Sequence, residues 1–344
     1  MRPLPVANPQ NRFERTLREY EIEENPGAPL QVFEDRTRQI LSSNDSPDIG
    51  FRWSANPYRG CFHGCAYCYA RPTHEYLSFG AGTDFDRKIV VKRSAPALLR
   101  EAFDEKSWKG ELVAFSGVTD CYQPLEATLR LTRGCLEVCA EYKNPVSVIT
   151  KSPVIERDVD VLQELSREAN CHVTVSVPFW SAENARALEP WVTTPARRMK
   201  IVETLSKAGI SVGVGVSPIV PGLSDEDMVR VLEAAADAGA TYAFYVLLRL
   251  PGAVRPVFEE RLRERLPLRA EKVLRRLREA YGGDVYDARF GMRGRGEGPY
   301  AQAIGALFEA TTKRLGLATG EWSHAVRDTF RRPPRPGEQT GFGF

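Results

Sequence analysis

The feature that most restricts the fold is a sixfold alternation of short apolar runs with amphipathic stretches. The runs are FRWSANPY, VAFSG, VSVITK, CHVTVSVPF, ISVGVGVSPIV and TYAFYVLLRLP, and helical patterns lie near 94–105, 124–142, 155–168, 195–208 and 224–238. Such runs are typical of buried parallel strands in βα units. Six units predict an α/β fold, a partial (β/α)6 barrel of TIM type. A doubly wound sheet is the alternative, although no GxGxxG follows the first strand.

Composition divides the chain into three predicted regions. Residues 1–50 are polar, with a helix-compatible stretch from Phe33 to Leu41, and are expected to form an extended arm. Residues 51–251 would form the barrel. Residues 252–344 are expected to form an Arg-rich helical extension that packs on the barrel, with helices at 254–281 and 300–315. Neither a secretory signal nor a run of roughly 20 apolar residues is present. These features predict a cytoplasmic protein, expected to be monomeric and away from membranes.

The charge balance is uneven along the chain. The 47 Lys and Arg residues exceed the 45 Asp and Glu residues by only two. Residues 249–298, however, hold thirteen basic and eight acidic residues, a net charge of +5. Guanidinium groups bind phosphates well, so nucleic acid is a candidate partner of this basic C-terminal segment. Helices of mixed charge are more commonly plain solvated surfaces.

Seven cysteines are present, and three of them are closely spaced. Cys61, Cys65 and Cys68 follow the pattern C-x3-C-x2-C in a glycine-containing loop after the first strand. Three thiolates so placed can bind three irons of a [4Fe–4S] cluster and leave the fourth iron free of protein ligands. A structural zinc with His63 as its fourth ligand is an alternative, as are unliganded thiols. Cys135, Cys139 and Cys171 are expected to be buried apolar residues.

The cysteine motif has the form C-x3-C-x-aromatic-C, in which Tyr67 is the aromatic residue. This form resembles the signature of the radical S-adenosylmethionine superfamily. The resemblance covers roughly residues 50–250. It implies a [4Fe–4S] cluster whose open iron binds S-adenosylmethionine. It also implies one-electron cleavage of that cofactor, hydrogen abstraction from a substrate, and an external donor such as flavodoxin or ferredoxin. A non-catalytic iron–sulfur protein is a weaker alternative, because such clusters usually take four cysteines.

Polar and small residues follow the predicted strands at their carboxyl ends, where barrels carry their active sites. By resemblance, the segment after the second strand receives the methionine amino group. Lys151 is a candidate partner for the methionine carboxylate, and Ser176 and Ser217 are candidates for the ribose hydroxyls. For each residue, a solvent contact or a helix cap is the alternative. The predicted cofactor-binding residues are Tyr67, Ser116, Gly117, Thr119, Asp120, Lys151, Ser176 and Ser217.

Within the superfamily, the chain resembles the spore photoproduct lyase group, also described as DNA repair photolyase-like. The motifs HGCAYCY, VITK and VSVPF carry this resemblance, and RFE, YQPLE, VLLRLP and RGRGEGPYA place the chain near a bacterial branch of the group. In the lyase, a cysteine near the exit of the second strand works with tyrosines to return hydrogen to the product. Here Ser116 and Gly117 stand where that cysteine is expected. Cys121, Tyr67 and Tyr69 are therefore the candidate catalytic residues, with plain burial as the alternative for Cys121.

Two substrate classes follow from these observations. The first is a nucleic-acid lesion, repaired as in the lyase group, which would have to leave the base stack to reach a barrel mouth. The second is a small metabolite or a peptide, with the Arg-rich region serving as a lid or a support.

Overall fold

The strands and helices alternate as the sequence predicts in a computed structural model that describes residues 29–319 and 328–334. The strands are β1 (Gln31–Glu34), β2 (Leu41–Ser43), β3 (Trp53–Ala55), β4 (Tyr58–Arg59), β5 (Lys88–Val91), β6 (Val113–Phe115), β7 (Val146–Thr150), β8 (Cys171–Ser176), β9 (Ser211–Ile219) and β10 (Tyr242–Leu247). The α-helices are α1 (Thr83–Arg87), α2 (Ala95–Asp104), α3 (Glu126–Leu129), α4 (Leu131–Glu141), α5 (Val159–Glu168), α6 (Ala182–Leu188), α7 (Pro195–Lys207), α8 (Met228–Asp237), α9 (Val254–Arg265), α10 (Pro267–Ala280) and α11 (Gly298–Leu315). Short 3-10 helices cover Arg71–Leu77, Pro153–Asp158 and Asp225–Asp227.

The main sheet has the order β10-β9-β8-β7-β6-β3-β2. All neighbours from β3 to β10 are parallel, and β2 is antiparallel to β3. The strand order follows the chain without reversal, whereas a doubly wound sheet reverses at a switch point. The predicted partial (β/α)6 barrel is therefore confirmed.

Apolar strand residues and the flanking helices form the barrel core. Val148 pairs with Val173 and Val175 pairs with Val214, and all four side chains are fully buried. The amphipathic stretch at 124–142 forms two helices, because Arg130 adopts the left-handed conformation with φ of 53° and separates α3 from α4. The other predicted helical stretches contain α2, α5, α7 and α8.

The helix expected from Phe33 to Leu41 is not formed. Its first residues belong to β1, which pairs in parallel with β5, and its last residue begins β2, which pairs with β3. Helix propensity is a weak preference, and the hydrogen-bonding edges that β3 and β5 offer override it. Residues 1–28 of the expected arm lie outside the described residues.

The C-terminal region contains α9, α10 and α11, and it also pairs with the last barrel strand. Leu247 N donates to Gly294 O over 2.8 Å. Ala243 N donates to Ala318 O over 2.9 Å, and Ala318 N donates to Thr241 O over 3.0 Å. Over residues 29–319 and 328–334, no helix is both long and apolar enough to span a membrane.

Candidate active site

The three closely spaced cysteines lie in a loop of consecutive tight turns after β4. Gly64 N donates to Cys61 O and Cys68 N donates to Cys65 O, each over 3.2 Å. Cys61 and Cys65 are buried and Cys68 is half-buried. Burial raises the pKa of the Cys61 thiol, and the charges of Asp120 and of the other two thiols raise it further. The loop thus gathers three thiols that interact electrostatically.

Gly60 and His74 support the start of this loop. Gly60 has φ of 76°, and a Cβ there would lie 2.7 Å from the His74 ring, so the position requires glycine. His74 is fully buried, and its Nε2 hydrogen bonds with Lys88 O over 2.8 Å. Burial lowers the pKa of His74 to about 4. A neutral imidazole therefore packs beneath the cysteine loop.

The thiols are not arranged around a single ion. Among residues 29–319 and 328–334, no three His, Cys, Asp or Glu side chains are placed to share one metal ion. A tetrahedral zinc would hold its sulfur ligands about 2.3 Å from a common centre, whereas a cubane spreads three thiolates over three irons. His63, the fourth ligand in the zinc alternative, instead places Nδ1 3.4 Å from Asp120 Oδ2. This donor set fits an iron–sulfur cluster better than zinc.

A fully buried guanidinium holds the backbone of the loop. Arg71 Nε and Nη2 both donate to Cys65 O, over 3.0 and 2.9 Å. Nη1 donates to the carbonyls of Ala81 and Gly82, and Nη2 also pairs with Asp86 Oδ1 over 2.9 Å. These contacts use all five donors of the side chain. Arg71 therefore positions Cys65.

Gln123, in the segment after β6, hydrogen bonds with the cysteine loop, and Asn56, which follows β3, hydrogen bonds with that same segment. Gln123 accepts a hydrogen bond from Phe62 N over 3.1 Å and donates to Gly60 O over 3.2 Å. Asn56 Nδ2 donates to the carbonyl and the hydroxyl of Thr119, over 2.6 and 2.9 Å. The predicted cofactor-binding Thr119 is thus buried against Asn56.

Asp120 links the exits of β6 and β7 to the cysteine loop. Its Oδ1 accepts from Thr150 Oγ1 over 2.7 Å, and its Oδ2 accepts from Lys151 N over 2.8 Å and faces His63. Burial opposes ionisation, but these hydrogen bonds outweigh it and lower the pKa of Asp120. The structure places this predicted cofactor-binding residue among internal partners, where it fixes two strand ends.

Three other predicted residues meet at neighbouring strand ends. Lys151 Nζ donates to Ser176 Oγ over 2.9 Å, and Ser176 Oγ donates to Ser217 O over 3.0 Å. Lys151 Nζ also lies 5.9 Å from the centre of the Tyr67 ring. Tyr67 lies between Cys65 and Cys68 in the chain, so the hydrogen-bonded series is adjacent to the cysteine loop.

The hydroxyl of Tyr67 is directed to a buried ion pair. It donates to Glu189, whose other carboxylate oxygen accepts from Arg198. Arg198 also donates to Ser176 O and to Thr193 O, each over 3.0 Å. Both charged side chains are at most 1% exposed. This network connects the ring beside the cysteines to the exit of β8.

Tyr69 instead lies at the surface of the mouth. Its residue is 51% exposed, and its hydroxyl donates to Gly117 O over 2.6 Å. The Arg249 guanidinium lies 5.7 Å from the centre of the Tyr69 ring. Gly117 follows β6 and Arg249 follows β10, so Tyr69 joins strand exits from distant positions of the sheet.

Ser116 and Cys121 contact each other after β6. Ser116 Oγ donates to Cys121 Sγ over 3.1 Å and accepts from Cys121 N over 3.1 Å. Ser116 has φ of 98°, a conformation that non-glycine residues rarely adopt. Cys121 is fully buried, as are Cys135 and Cys139, while Cys171 is 2% exposed. The expected burial of the last three is confirmed.

Arginines of the basic C-terminal segment are engaged within the protein. Arg289 Nη2 lies 2.5 Å from Asp287 and 3.3 Å from Glu297. Arg293 Nε lies 2.5 Å from Asp48. Asp287 and Glu297 are already counted in the net charge of +5, whereas Asp48 lies outside the segment and reduces that charge by one.

The sequence interpretation omitted Arg71, Glu189 and Arg198. Arg71 follows the motif closely in YARP, and that proximity was the available signal. No local sequence pattern indicates Glu189 or Arg198, because their importance depends on contacts with Tyr67 and with the exit of β8.

Comparison with known proteins places this geometry in a family. Residues 55–235, just over half of the chain, match the model of the radical SAM superfamily. An uncharacterized protein of Mycobacterium tuberculosis is 38% identical over 212 residues, which cover 61% of this chain and 62% of that protein. The radical SAM Nalpha-GlyT isomerase of Pseudomonas phage M6 is 24% identical over 69% of this chain and 48% of its own length.

A solved structure shares the fold over most of the chain. Spore photoproduct lyase complexed with dinucleoside spore photoproduct superposes with a TM-score of 0.58 over 88% of this chain and 86% of that one. The sequence identity is 13%, so this similarity concerns the fold.

Proposed function

Because the chain belongs to the radical S-adenosylmethionine superfamily, whose members use a [4Fe–4S] cluster and S-adenosylmethionine, we propose that Cys61, Cys65 and Cys68 hold that cluster. The donor set fits, since it comprises three thiols on a backbone held by Arg71 and Gln123. When bound, the two cofactors supply a 5′-deoxyadenosyl radical for hydrogen abstraction. The residues around the loop position the cofactors and exclude water.

The observation that carries this proposal is the position of Lys151 beside the loop, at 5.9 Å from the Tyr67 ring and within hydrogen-bonding distance of Ser176. Lys151 binds the methionine carboxylate, and Ser176 and Ser217 face the ribose. Ser116 and Gly117 lie near the methionine amino group. Thr119 and Asp120 act mainly by holding this wall in place, because their polar atoms have internal partners.

Of the three candidate catalytic residues, we propose that Tyr69 returns hydrogen to the product. Both hydroxyls donate a hydrogen bond, Tyr69 to Gly117 O and Tyr67 to Glu189, but Tyr69 is exposed at the mouth whereas Tyr67 is buried. Cys121 is a second candidate donor, and it requires Ser116 to move because the two side chains are hydrogen-bonded.

For the substrate, we propose a damaged nucleobase of the kind that the spore photoproduct lyase structures contain. The shared fold, the exposed Tyr69 and the half-buried Arg249 beside it at the mouth support this class. A small metabolite or a peptide is the second candidate, and the internal pairing of Arg289 and Arg293 favours it. In either case the enzyme works as a cytoplasmic monomer, reduced by an external flavodoxin or ferredoxin.

The cofactor proposal is tested with anaerobically reconstituted protein. We expect dithionite and S-adenosylmethionine to yield 5′-deoxyadenosine, measured by mass spectrometry. Cys61→Ala, Cys65→Ala and Cys68→Ala should each lose bound iron and this product. Cys135→Ala is the matched control, since that thiol is fully buried away from the loop. Undiminished product from any of the three variants would refute the cluster assignment.

The substrate proposal needs a separate assay. Reconstituted protein, dithionite and S-adenosylmethionine are incubated with dinucleoside spore photoproduct and with irradiated DNA. We expect restored thymine above the level of a control without enzyme. If 5′-deoxyadenosine forms, thymine is not restored and DNA binding is insensitive to salt, the metabolite or peptide class replaces the nucleobase.

A further inference from the structure

An open groove of about 470 Å³ lies between α6, the turn at Pro190 and Trp191, and α9. Arg186, Arg261 and Arg265 line it, with Trp191 and Glu183. None of these residues belongs to the proposed cofactor site. The groove is therefore a separate surface feature in which Arg186 and Glu183 are exposed, Arg265 is half-buried and Arg261 is buried.

The aromatic wall of the groove continues directly into the cysteine loop. The Trp191 ring centre lies 5.6 Å from that of Phe62, the residue that follows Cys61. Trp191 N donates to His63 O over 3.3 Å. The Arg87 guanidinium lies 5.0 Å from the Phe62 ring and 5.1 Å from the Trp191 ring. Trp191 thus contacts the cysteine loop directly, through Phe62 and His63.

The charges of the groove favour an acidic partner. Glu264 lies 3.7 Å from Arg261 and 3.3 Å from Arg265, and Glu183 also lines the groove. With Arg186, and with Arg87 beside the Trp191 ring, the four arginines and two glutamates leave a net charge of +2. Arg186 is exposed, and its Nη1 donates to Pro190 O over 2.5 Å, so its charge stays beside the groove. Arginine and aromatic side chains are enriched in protein interfaces, and complementary charge raises the rate of encounter.

We propose that this groove is the docking surface for a small acidic electron-carrier protein. The inference rests on the proposed function, which requires a donor for the cluster held by Cys61, Cys65 and Cys68. The carrier loses one electron and the cluster gains it, with no transfer of atoms. Docking at Trp191 and Arg186 leaves the strand-end residues Lys151 and Ser176 free for cofactor, because they do not line the groove.

A protein partner suits this surface better than nucleic acid. On α9, Arg261 and Arg265 alternate with Glu259, Glu260 and Glu264, and such mixed charge is poorly suited to a phosphate backbone. Interfaces between redox partners are small, below about 1,200 Å² of buried area, so a few charges around the half-buried Trp191 are sufficient.

The test uses charge reversal with a matched control. Arg186→Glu/Arg265→Glu changes the groove, whereas Arg263→Glu/Arg275→Glu makes the same change of charge at exposed positions outside it. The probe is a bacterial flavodoxin, whose dissociation constant is measured with cluster-free and cluster-loaded protein at low and high salt. We expect the groove variant to bind flavodoxin at least about tenfold more weakly at low salt, with the difference shrinking at high salt.

Assays of S-adenosylmethionine cleavage with two different reductants complete the test. Cleavage driven by reduced flavodoxin should fall in the groove variant, whereas cleavage driven by dithionite should match that of the unmodified protein. The single variant Arg186→Glu, at an exposed position, repeats the comparison if the double variant does not fold.

Equal flavodoxin binding by the groove and control variants would overturn the inference. A groove variant that loses binding to an oligonucleotide but keeps binding to flavodoxin would also overturn it, in favour of nucleic acid. Failure of the unmodified protein to cleave S-adenosylmethionine with dithionite would refute the proposed function instead. In that case, flavodoxin binding by the cluster-free groove and control variants still tests the docking surface.

Discussion

Replacing Arg71 by methionine should destabilise the cysteine loop although every thiol remains. The guanidinium is fully buried and donates five hydrogen bonds, one of them to the Asp86 carboxylate. Arg71→Met keeps an apolar stem and leaves Asp86 and the Cys65 carbonyl without this partner. Removal of one member of a buried ion pair costs roughly 3–5 kcal/mol. We expect the free energy of unfolding to fall by about 4 kcal/mol.

Urea unfolding of the cluster-free protein, followed by circular dichroism, measures this loss. Arg100→Met is the control, because Arg100 also pairs with a carboxylate, that of Glu141, but its side chain is 43% exposed. An exposed pair contributes at most about 1 kcal/mol.

Iron content gives a second readout for Arg71→Met. We expect less bound iron per chain after reconstitution, because the Cys65 carbonyl no longer has its two donors. Equal losses of unfolding free energy in Arg71→Met and Arg100→Met, with normal iron content, would show that Arg71 does not position the loop.

Three further predictions concern pH, strain and cofactor affinity. Burial lowers the pKa of His74 to about 4, while an unfolded histidine titrates near 6.5, so the unfolded state takes up its proton first as the pH falls. Stability should therefore drop by about 1.4 kcal/mol per pH unit from roughly 6.5 to 4, and a His74→Gln variant that keeps the full slope in urea unfolding would contradict this. Ser116→Ala should be less stable than Ser116→Gly by about 1 kcal/mol, because alanine retains the strain of φ at 98° and glycine relieves it; thermal unfolding that gives the reverse order would exclude strain. Lys151→Met should raise the dissociation constant of S-adenosylmethionine about tenfold or more in equilibrium dialysis, while Lys207→Met, at an exposed position, should not; equal effects would remove Lys151 from the site.

Local patterns predict the barrel and part of the site. Alternation of apolar runs with amphipathic stretches depends on neighbouring residues, so it is visible in the sequence. Lys151 follows β7, and Ser176 is the last residue of the adjacent parallel strand β8. The carboxyl ends of these strands share one edge, and the contact of the two side chains over 2.9 Å agrees with that reasoning. The cysteine motif was equally visible, because its spacing lies within eight residues of one loop.

Contacts between distant residues explain what the sequence did not reveal. Glu189 and Arg198 form a buried pair because Tyr67 and Ser176 supply their remaining hydrogen bonds, and no local pattern specifies those partners. The expected helix from Phe33 was overridden by the open edge of β5. The net charge of the C-terminal segment can be counted from the sequence. Its partial neutralisation by Asp48 cannot, because Arg293 and Asp48 are 245 residues apart.

The pairing of Gly294 and Ala318 with β10 has a consequence for how this fold can be divided. Strand β10 ends the main sheet, and these two residues satisfy backbone groups on its outer side. An uncovered strand at a sheet margin is a template for pairing with other chains. A protein truncated after residue 251 should therefore self-associate rather than behave as an isolated barrel. In this molecule, protection against aggregation is supplied by the very segment whose composition first suggested a separate appendage.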